Sequence, residues 1–284
     1  MNQRFPFKVD NVRASRLAAA VAAAGIFVAT VLLVMLLQEA PLKQTWIYAL
    51  CGLTILVPYG VWLTVLLHYD PSPPRPQDLM VSALAWGSLV SFAAAIVLED
   101  VFVAIDASLG VPNLDTMVVA PLWEEFTKGL FIVLLYAYAR RRLRGPWDGL
   151  VYGALVGTGF GFAEDIAYLN SSLSDDGFGG LVATYVVREI FTAHAHPMFT
   201  AATGLAAGMA ARQRLSPGRA LRWIFRGFLI AFILHAIFDS ATVLASYAVF
   251  FIAPAYGALF VIALRWLHRR EIVEKVHRHS TDID

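Results

Sequence analysis

Charged and titratable side chains lie inside stretches of this sequence that are otherwise apolar enough for a membrane. They are Glu124, Glu125, Lys128, Glu164, Asp165, Glu189, His194, His196, His235 and Asp239. An acidic or basic residue at the centre of a membrane helix costs about 2.5–3.5 kcal/mol, so such a group must be compensated by mutual pairing, a metal ion or function. The residue types therefore predict an active site within the membrane.

Carboxylates and imidazoles together can hydrolyse a peptide bond. Amide hydrolysis needs a deprotonated water, stabilisation of the oxyanion and an acid for the leaving amine. Glu, His and Asp are also suitable zinc ligands, and a cation would offset buried negative charge. The same residue types form proton relays. Three hypotheses remain open: a metal-dependent protease, a protease that uses paired glutamates without metal, and a proton- or ion-coupled transporter.

Helical spacing places some of these residues on common faces. Side chains four residues apart point the same way, so Glu124 faces Lys128, and His235 faces Asp239. Glu125 is rotated by about 100° from Glu124. We therefore expect Lys128 to pair with a glutamate. Asp239 is expected either to act as a ligand beside His235 or to orient it.

The two histidines near residue 195 are expected to differ in role. Within a helix over 183–210, His194 points about 160° away from His196. His196 is then the ligand candidate, and His194 packs elsewhere. Arg188 is expected to neutralise Glu189, and Asp165 to be an interfacial or capping group.

The composition predicts an all-α, polytopic membrane protein. Of its 284 residues, 58% are hydrophobic and 15% charged, and the mean hydropathy is +0.64. A membrane span needs about 20 apolar residues. We predict eight transmembrane helices, at about 17–37, 46–67, 79–98, 116–139, 149–169, 183–210, 220–245 and 248–267. The lipid bilayer is the expected surrounding, and no nucleic-acid partner is expected.

The basic residues predict the orientation of these spans. With eight spans, 19 of the 22 lysines and arginines fall on one side. The positive-inside rule then predicts a protein of the cell membrane with both termini cytoplasmic and the Asp175-Asp176 loop external.

We divide the chain into three predicted parts. Residues 1–115 form an N-terminal three-helix membrane region, 116–245 a catalytic four-helix core, and 246–284 the last transmembrane helix with a cytoplasmic tail. In the core, glycines at 149, 153, 157 and 161 follow one helix face, which predicts close packing of two helices. Glu164 lies on the same helix face as these glycines.

Four motifs, in order along residues 116–245, resemble those of the PrsW family of intramembrane proteases, distant relatives of the type II CAAX prenyl endoproteases. They are Glu124-Glu125-x-x-Lys128, Phe160-x-x-x-Glu164, His196-x-x-x-Thr200 and His235-x-x-x-Asp239. The CAAX relatives usually have His where this chain has Glu164, and Asn where it has Asp239. Both differences add negative charge, which favours a divalent cation.

This resemblance and the chemistry above suggest a role for each residue. Glu164, His196, His235 and Asp239 are the predicted ligands of Zn2+, with Asp239 either a ligand or a group that orients His235. Glu124 or Glu125 is the predicted general base, and Lys128 pairs with one of them. The resemblance implies a membrane-anchored protein substrate, such as an anti-sigma factor cut on the extracytoplasmic side. The oligomeric state is not predicted.

Overall fold

The computed structural model describes residues 8–281 of the chain. Over this range the protein forms nine α-helices and no strand, which confirms the all-α prediction. They are α1 (Lys8–Leu37), α2 (Thr45–His68), α3 (Gln77–Ala85), α4 (Phe92–Leu109), α5 (Ala120–Ala139), α6 (Pro146–Tyr185), α7 (Ala195–Arg212), α8 (Pro217–Leu244) and α9 (Val249–Thr281).

Short segments of other helix types connect several of these elements. Wider π-helical turns join α3 to α4 (Trp86–Ser91), precede α5 (Asp115–Val119) and follow α6 (Val186–Phe191). Single 3₁₀ turns occupy Leu42–Gln44, Arg140–Arg142 and Ser246–Ala248. Because π-helical turns are rare and often mark functional sites, the turn after α6 is of particular interest.

Several helices have the length and composition needed to cross a membrane. Among the described residues, five segments qualify: Ala18–Leu37, Leu42–His68, Gln77–Phe102, Pro217–Leu244 and Ser246–Glu274. The protein is therefore a multi-pass membrane protein. The predicted spans at α5, α6 and α7 carry the polar side chains and are the most buried helices of the bundle. The total of eight spans stays a prediction.

The chain reverses direction within α6 at Gly177, eight residues beyond the predicted end of the span at 169. Ser172 Oγ and Thr184 Oγ1 lie 2.7 Å apart, although twelve residues would separate them by about 18 Å along a straight helix. Gly177 makes the bend, with φ 64° and ψ −156°, a conformation essentially restricted to glycine. The Asp175-Asp176 segment, predicted as a loop, is thus part of a tight helical reversal.

The continuous helix predicted over 183–210 is wrong. The structure has a π-helical turn to Phe191, a non-helical connection, and a new helix that begins at Ala195. Pro197 lies in the first turn of α7, where its missing N–H removes no intrahelical hydrogen bond, whereas inside a longer helix it would break one. Because of this break, the side chains of Glu189 and His196 do not share one helix face.

Glycines let α6 and α7 approach until their backbones touch. A Cβ atom added at Gly153 or Gly157 would collide with the carbonyl oxygen of Thr200 or His196, respectively. Gly149 and Gly204 make the same kind of backbone contact with each other. The predicted close packing is confirmed, and it fixes the backbone of His196 against α6.

Gly157→Ala is expected to destabilise the protein and impair its activity. The added methyl group must displace the His196 carbonyl, and overpacking of this kind typically costs about 1–3 kcal/mol. Thermal unfolding in detergent should show a lower midpoint for Gly157→Ala. Gly179→Ala is the control, because nothing lies within 4 Å of a Cβ placed there. Equal midpoints for the two variants would contradict this account of the α6–α7 contact.

Candidate active site

Four helices direct titratable side chains into one cavity of about 150 Å³. Its lining includes Glu124 from α5, Glu164 from α6, His196 from α7, and His235 and Asp239 from α8. Glu124, His196 and His235 are each less than a tenth exposed. The predicted site residues are therefore brought together at one level of the bundle.

Lys128 lies at the closed end of this cluster and is fully buried. Its Nζ donates to Glu124 Oε2 at 2.9 Å and to Glu125 Oε1 at 3.0 Å. The same atom lies 3.2 Å from His196 Nδ1 and 3.7 Å from the centre of the Phe160 ring. An ammonium group has three donors, and its contacts with the two carboxylates and the imidazole use all of them.

His196 is held between Lys128 and Glu164. Its Nε2 donates to Glu164 Oε2 at 2.8 Å, which leaves Nδ1 with its lone pair directed toward Lys128 and Glu124. Nδ1 lies 3.7 Å from Glu124 Oε2. Glu164 Oε2 also forms an ion pair with Arg188. The carboxylate of Glu164 is thus fixed by a cation on one side and fixes an imidazole on the other.

His235 has a carboxylate near each ring nitrogen. Nδ1 lies 3.3 Å from Glu125 Oε1, while Nε2 lies 3.4 Å from Asp239 Oδ2 and 3.9 Å from Glu124 Oε2. Its ring stacks on Phe199, with the centroids 4.6 Å apart. Packing and charge together therefore fix the orientation of this imidazole.

The two adjacent glutamates have different surroundings. Glu124 lines the cavity. Glu125 is 0% exposed and accepts from Thr200 Oγ1 at 3.0 Å as well as from Lys128. Glu124 is therefore accessible to a substrate, whereas Glu125 holds three helices together.

The geometry gives a candidate metal-binding group that differs in part from the predicted ligand set. Among the described residues, Glu124, His196 and His235 offer ligand atoms that all lie within 4.8 Å of one another. The two histidines belong to the predicted set, whereas Glu124 occupies the place expected for Glu164 and Asp239. Glu164 is already engaged by Arg188 and His196, and Asp239 lies at the cavity edge with its side chain 24% exposed.

This group fits a catalytic metal. Two histidines and one glutamate form a known set of three protein ligands that leaves a position for water. A metal-binding histidine usually donates its second N–H to a carboxylate. Here Glu164 takes that position for His196, and Glu125 Oε1 lies 3.3 Å from Nδ1 of His235.

His194 lies outside this cluster, as predicted, although it precedes α7 and does not lie within the continuous helix assumed for that prediction. Its Nε2 lies 3.0 Å from the carbonyl oxygen of Ala253, and its ring packs on Trp62 with centroids 4.5 Å apart. The side chain is 2% exposed. His194 therefore joins α9 to the bundle.

The expected pairing of Arg188 with Glu189 is wrong. Arg188 forms ion pairs with Glu164 and Asp165 instead, and its guanidinium lies over the Tyr168 ring at 4.0 Å. Asp165 is accordingly a buried partner and not an interfacial cap. The bend at Gly177 brings the Val186–Phe191 turn back beside α6, which the spacing of neighbouring residues did not reveal.

Sequence reasoning also missed two other contributors to the site. Tyr59 of α2 donates to Asp165 Oδ2 at 2.8 Å and lines the cavity, so the N-terminal region contributes directly. Trp86 Nε1 donates to the Thr127 carbonyl at 3.0 Å. The only signal was a polar group within an apolar stretch, which does not identify its partner.

Comparison with known proteins agrees with this geometry. A family described as "PrsW family intramembrane metalloprotease" matches residues 75–267. The Protease PrsW of Geobacillus kaustophilus is 25% identical over 203 residues, which cover 72% of this chain and 82% of that protein. The Protease PrsW of Halalkalibacterium halodurans is 23% identical over 64% of this chain and 76% of the relative.

The Protease PrsW of Bacillus subtilis is 26% identical over 50% of this chain and 58% of its own length. No solved structure matches. The fold, the buried Glu/His cluster and these relatives define a membrane-embedded peptidase. The chain belongs to the PrsW family of intramembrane proteases.

Proposed function

We propose that this peptidase cleaves membrane-anchored proteins with a site in which Glu124, His196 and His235 hold one divalent metal ion, most suitably Zn2+. The observation that carries the proposal is the convergence of these three donors, from three helices, at a buried cavity. When bound, the metal would polarise the scissile carbonyl and lower the pKa of a water molecule.

The surrounding residues orient the metal ligands and accept a proton from water. Glu164 holds Nε2–H of His196, and Arg188 holds Glu164 in place. Asp239 lies at the cavity edge, 3.4 Å from His235 Nε2, and is the carboxylate free to accept a proton from water. Lys128 compensates the charge of Glu124 and Glu125.

The contacts of Lys128 support an alternative without metal. Its ammonium group already lies within 3.2 Å of both Glu124 and His196, two of the three candidate ligands. In this mechanism Glu124 is the general base and His196 supplies a proton to the leaving amine. Both mechanisms use Glu124 and His196, and they differ in metal content and in the group that accepts the proton from water.

A neighbouring cavity indicates how a polypeptide could reach the site. It measures about 470 Å³ and shares Arg188, Phe238 and Asp239 with the catalytic cavity. It lies between the turn after α6 and the connection from α8 to α9. We propose that a substrate segment approaches through this opening, at the end of the bundle away from the arginine-rich connections. An anti-sigma factor anchored by a single helix is one such substrate.

Reconstitution into vesicles tests this function. The purified protein is incorporated with a single-span protein that carries a fluorescent tag on each side of its helix. We expect two fragments, cut close to one membrane surface. A proton- or ion-coupled transporter would leave the reporter uncut and would collapse an imposed pH gradient across the same vesicles, and that pair of results would overturn the proposal.

The orientation of the site can be tested at the reversal in α6. We propose that both termini are cytoplasmic and that Ser174, which is exposed, faces outward, because the basic residues cluster at the other end. In a background with Cys51 replaced by Ala, Ser174→Cys should react with an impermeant maleimide added outside intact cells. Ser216→Cys at the opposite end is the control and should react only after permeabilisation. The reverse pattern would refute this topology.

A further inference from the structure

A third cavity, of about 770 Å³, lies at the opposite end of the bundle from the catalytic cavity. It is formed by the end of α5 with the following turn, the connection from α7 to α8, and Glu271 of α9. Fifteen residues of α5 separate Glu124 from Ala139, which corresponds to about 22 Å. The cavity is therefore a separate site from the one that contains Glu124.

The charge around this cavity is strongly unbalanced. Its lining contains five arginines and one carboxylate. Arg212 binds that carboxylate, Glu271, at 3.0 Å and also pairs with Glu274. Arg144 binds Asp148 at 2.8 Å. Among the described residues, no side-chain ion pair or hydrogen bond is found for the guanidinium groups of the other three arginines of the lining, Arg140, Arg141 and Arg214. Three guanidinium groups around one cavity thus remain available to an anion.

The start of α8 adds further attraction for an anion. Ser216 and Pro217 line the cavity, and the Ser216 side chain makes no capping hydrogen bond to the helix. The first N–H groups of a helix lack internal acceptors and carry partial positive charge. The anion would therefore meet both guanidinium and backbone donors.

An apolar strip leads from the cavity toward the middle of the membrane. Pro217, Leu221 and Phe225 follow at intervals of four and share one face of α8. Leu221 is 54% exposed and Phe225 is 55% exposed. Tyr138, 87% exposed near the end of α5, is an aromatic residue of the type found at membrane interfaces. Free phosphate would use the arginines alone, whereas a phospholipid would use the arginines and the strip.

We propose that this arginine-lined cavity binds the headgroup of an anionic phospholipid, with an acyl chain along Leu221 and Phe225. Basic pockets between helices on the cytoplasmic side are suited to such headgroups. The excess of arginine in cytoplasmic connections explains a general basic surface, but it does not require three unpaired arginines around one cavity. The site is independent of proteolysis, so an inactive Glu124→Gln protein should bind the lipid equally well.

The test compares two variants that each lose three positive charges. One carries Arg140→Gln, Arg141→Gln and Arg214→Gln. The control carries Arg222→Gln, Arg226→Gln and Arg269→Gln, all exposed and outside the cavity lining. Binding of dioctanoyl phosphatidylglycerol to protein in neutral detergent is followed by the thermal unfolding midpoint. We expect the cavity variant to bind at least about tenfold more weakly than the unmodified protein, and the control to bind almost normally.

Two further ligands identify what the cavity recognises. Dioctanoyl phosphatidylcholine, which has no net charge, should raise the midpoint little. Inorganic phosphate should neither raise it comparably nor compete at equal concentration. If lipid binding were weakened equally in the two variants, general surface charge would account for the binding, and the proposal would be overturned. Full competition by phosphate would overturn the lipid as the ligand.

Discussion

Glu124→Gln is expected to reduce proteolysis by at least about 100-fold while the protein remains folded. Glutamine keeps the size of the side chain but removes the charge needed to bind a metal or to accept a proton, and proton transfer alone typically contributes 10²- to 10⁴-fold. Glu124 lines the cavity and retains Lys128 as a neighbour after the change. Cleavage of a single-span reporter, with the amount of folded protein measured by size-exclusion chromatography, checks this result.

Glu125→Gln is expected to lower the stability of the protein, whereas Glu124→Gln lowers its activity. Glu125 is fully buried and contacts Lys128, Thr200 and His235. Loss of one partner from a buried ion pair typically destabilises by about 3–5 kcal/mol. We therefore expect less folded protein for Glu125→Gln.

Controls make the comparison between the two glutamates decisive. Glu39→Gln is the matched control, because Glu39 is exposed in the turn after α1, and it should be silent. Wild-type cleavage by Glu124→Gln would require a different assignment of the site. Normal yield and stability of Glu125→Gln would contradict its anchoring role.

Purified protein is expected to contain one divalent metal ion per chain, and His196→Ala and His235→Ala are each expected to lose it. Both imidazoles belong to the only group of donors within 4.8 Å that we find among the described residues. Elemental analysis of detergent-solubilised protein measures this content directly. Chelation should abolish cleavage, and added zinc should restore it.

Two variants near the cluster separate metal binding from other effects. His194→Ala should retain metal, because His194 contacts Ala253 and Trp62. Asp239→Asn should retain most of the metal but lose cleavage, because it removes the proposed proton acceptor. A metal content far below one per chain, unchanged in His235→Ala, would instead establish the mechanism in which Glu124 acts as base without metal.

Local sequence spacing was sufficient to predict much of the site. The apolar stretches predicted a helical membrane protein, since a helix satisfies its own backbone in lipid. Residues four apart share a face, and the Glu124–Lys128 ion pair at 2.9 Å and the approach of His235 to Asp239 follow that rule. The glycine stripe similarly predicted the close contact between α6 and α7.

The partners across helices required the tertiary structure. Arg188 reaches Glu164 and Asp165 because the chain reverses at Gly177 and α7 begins anew at Ala195. The presence of Glu124 and not Glu164 in the candidate metal-binding group has the same origin. Spacing along one helix fixes which side chains share its face, but the contacts between faces depend on the rotation and axial shift of each helix. Those are decided by packing of the whole bundle.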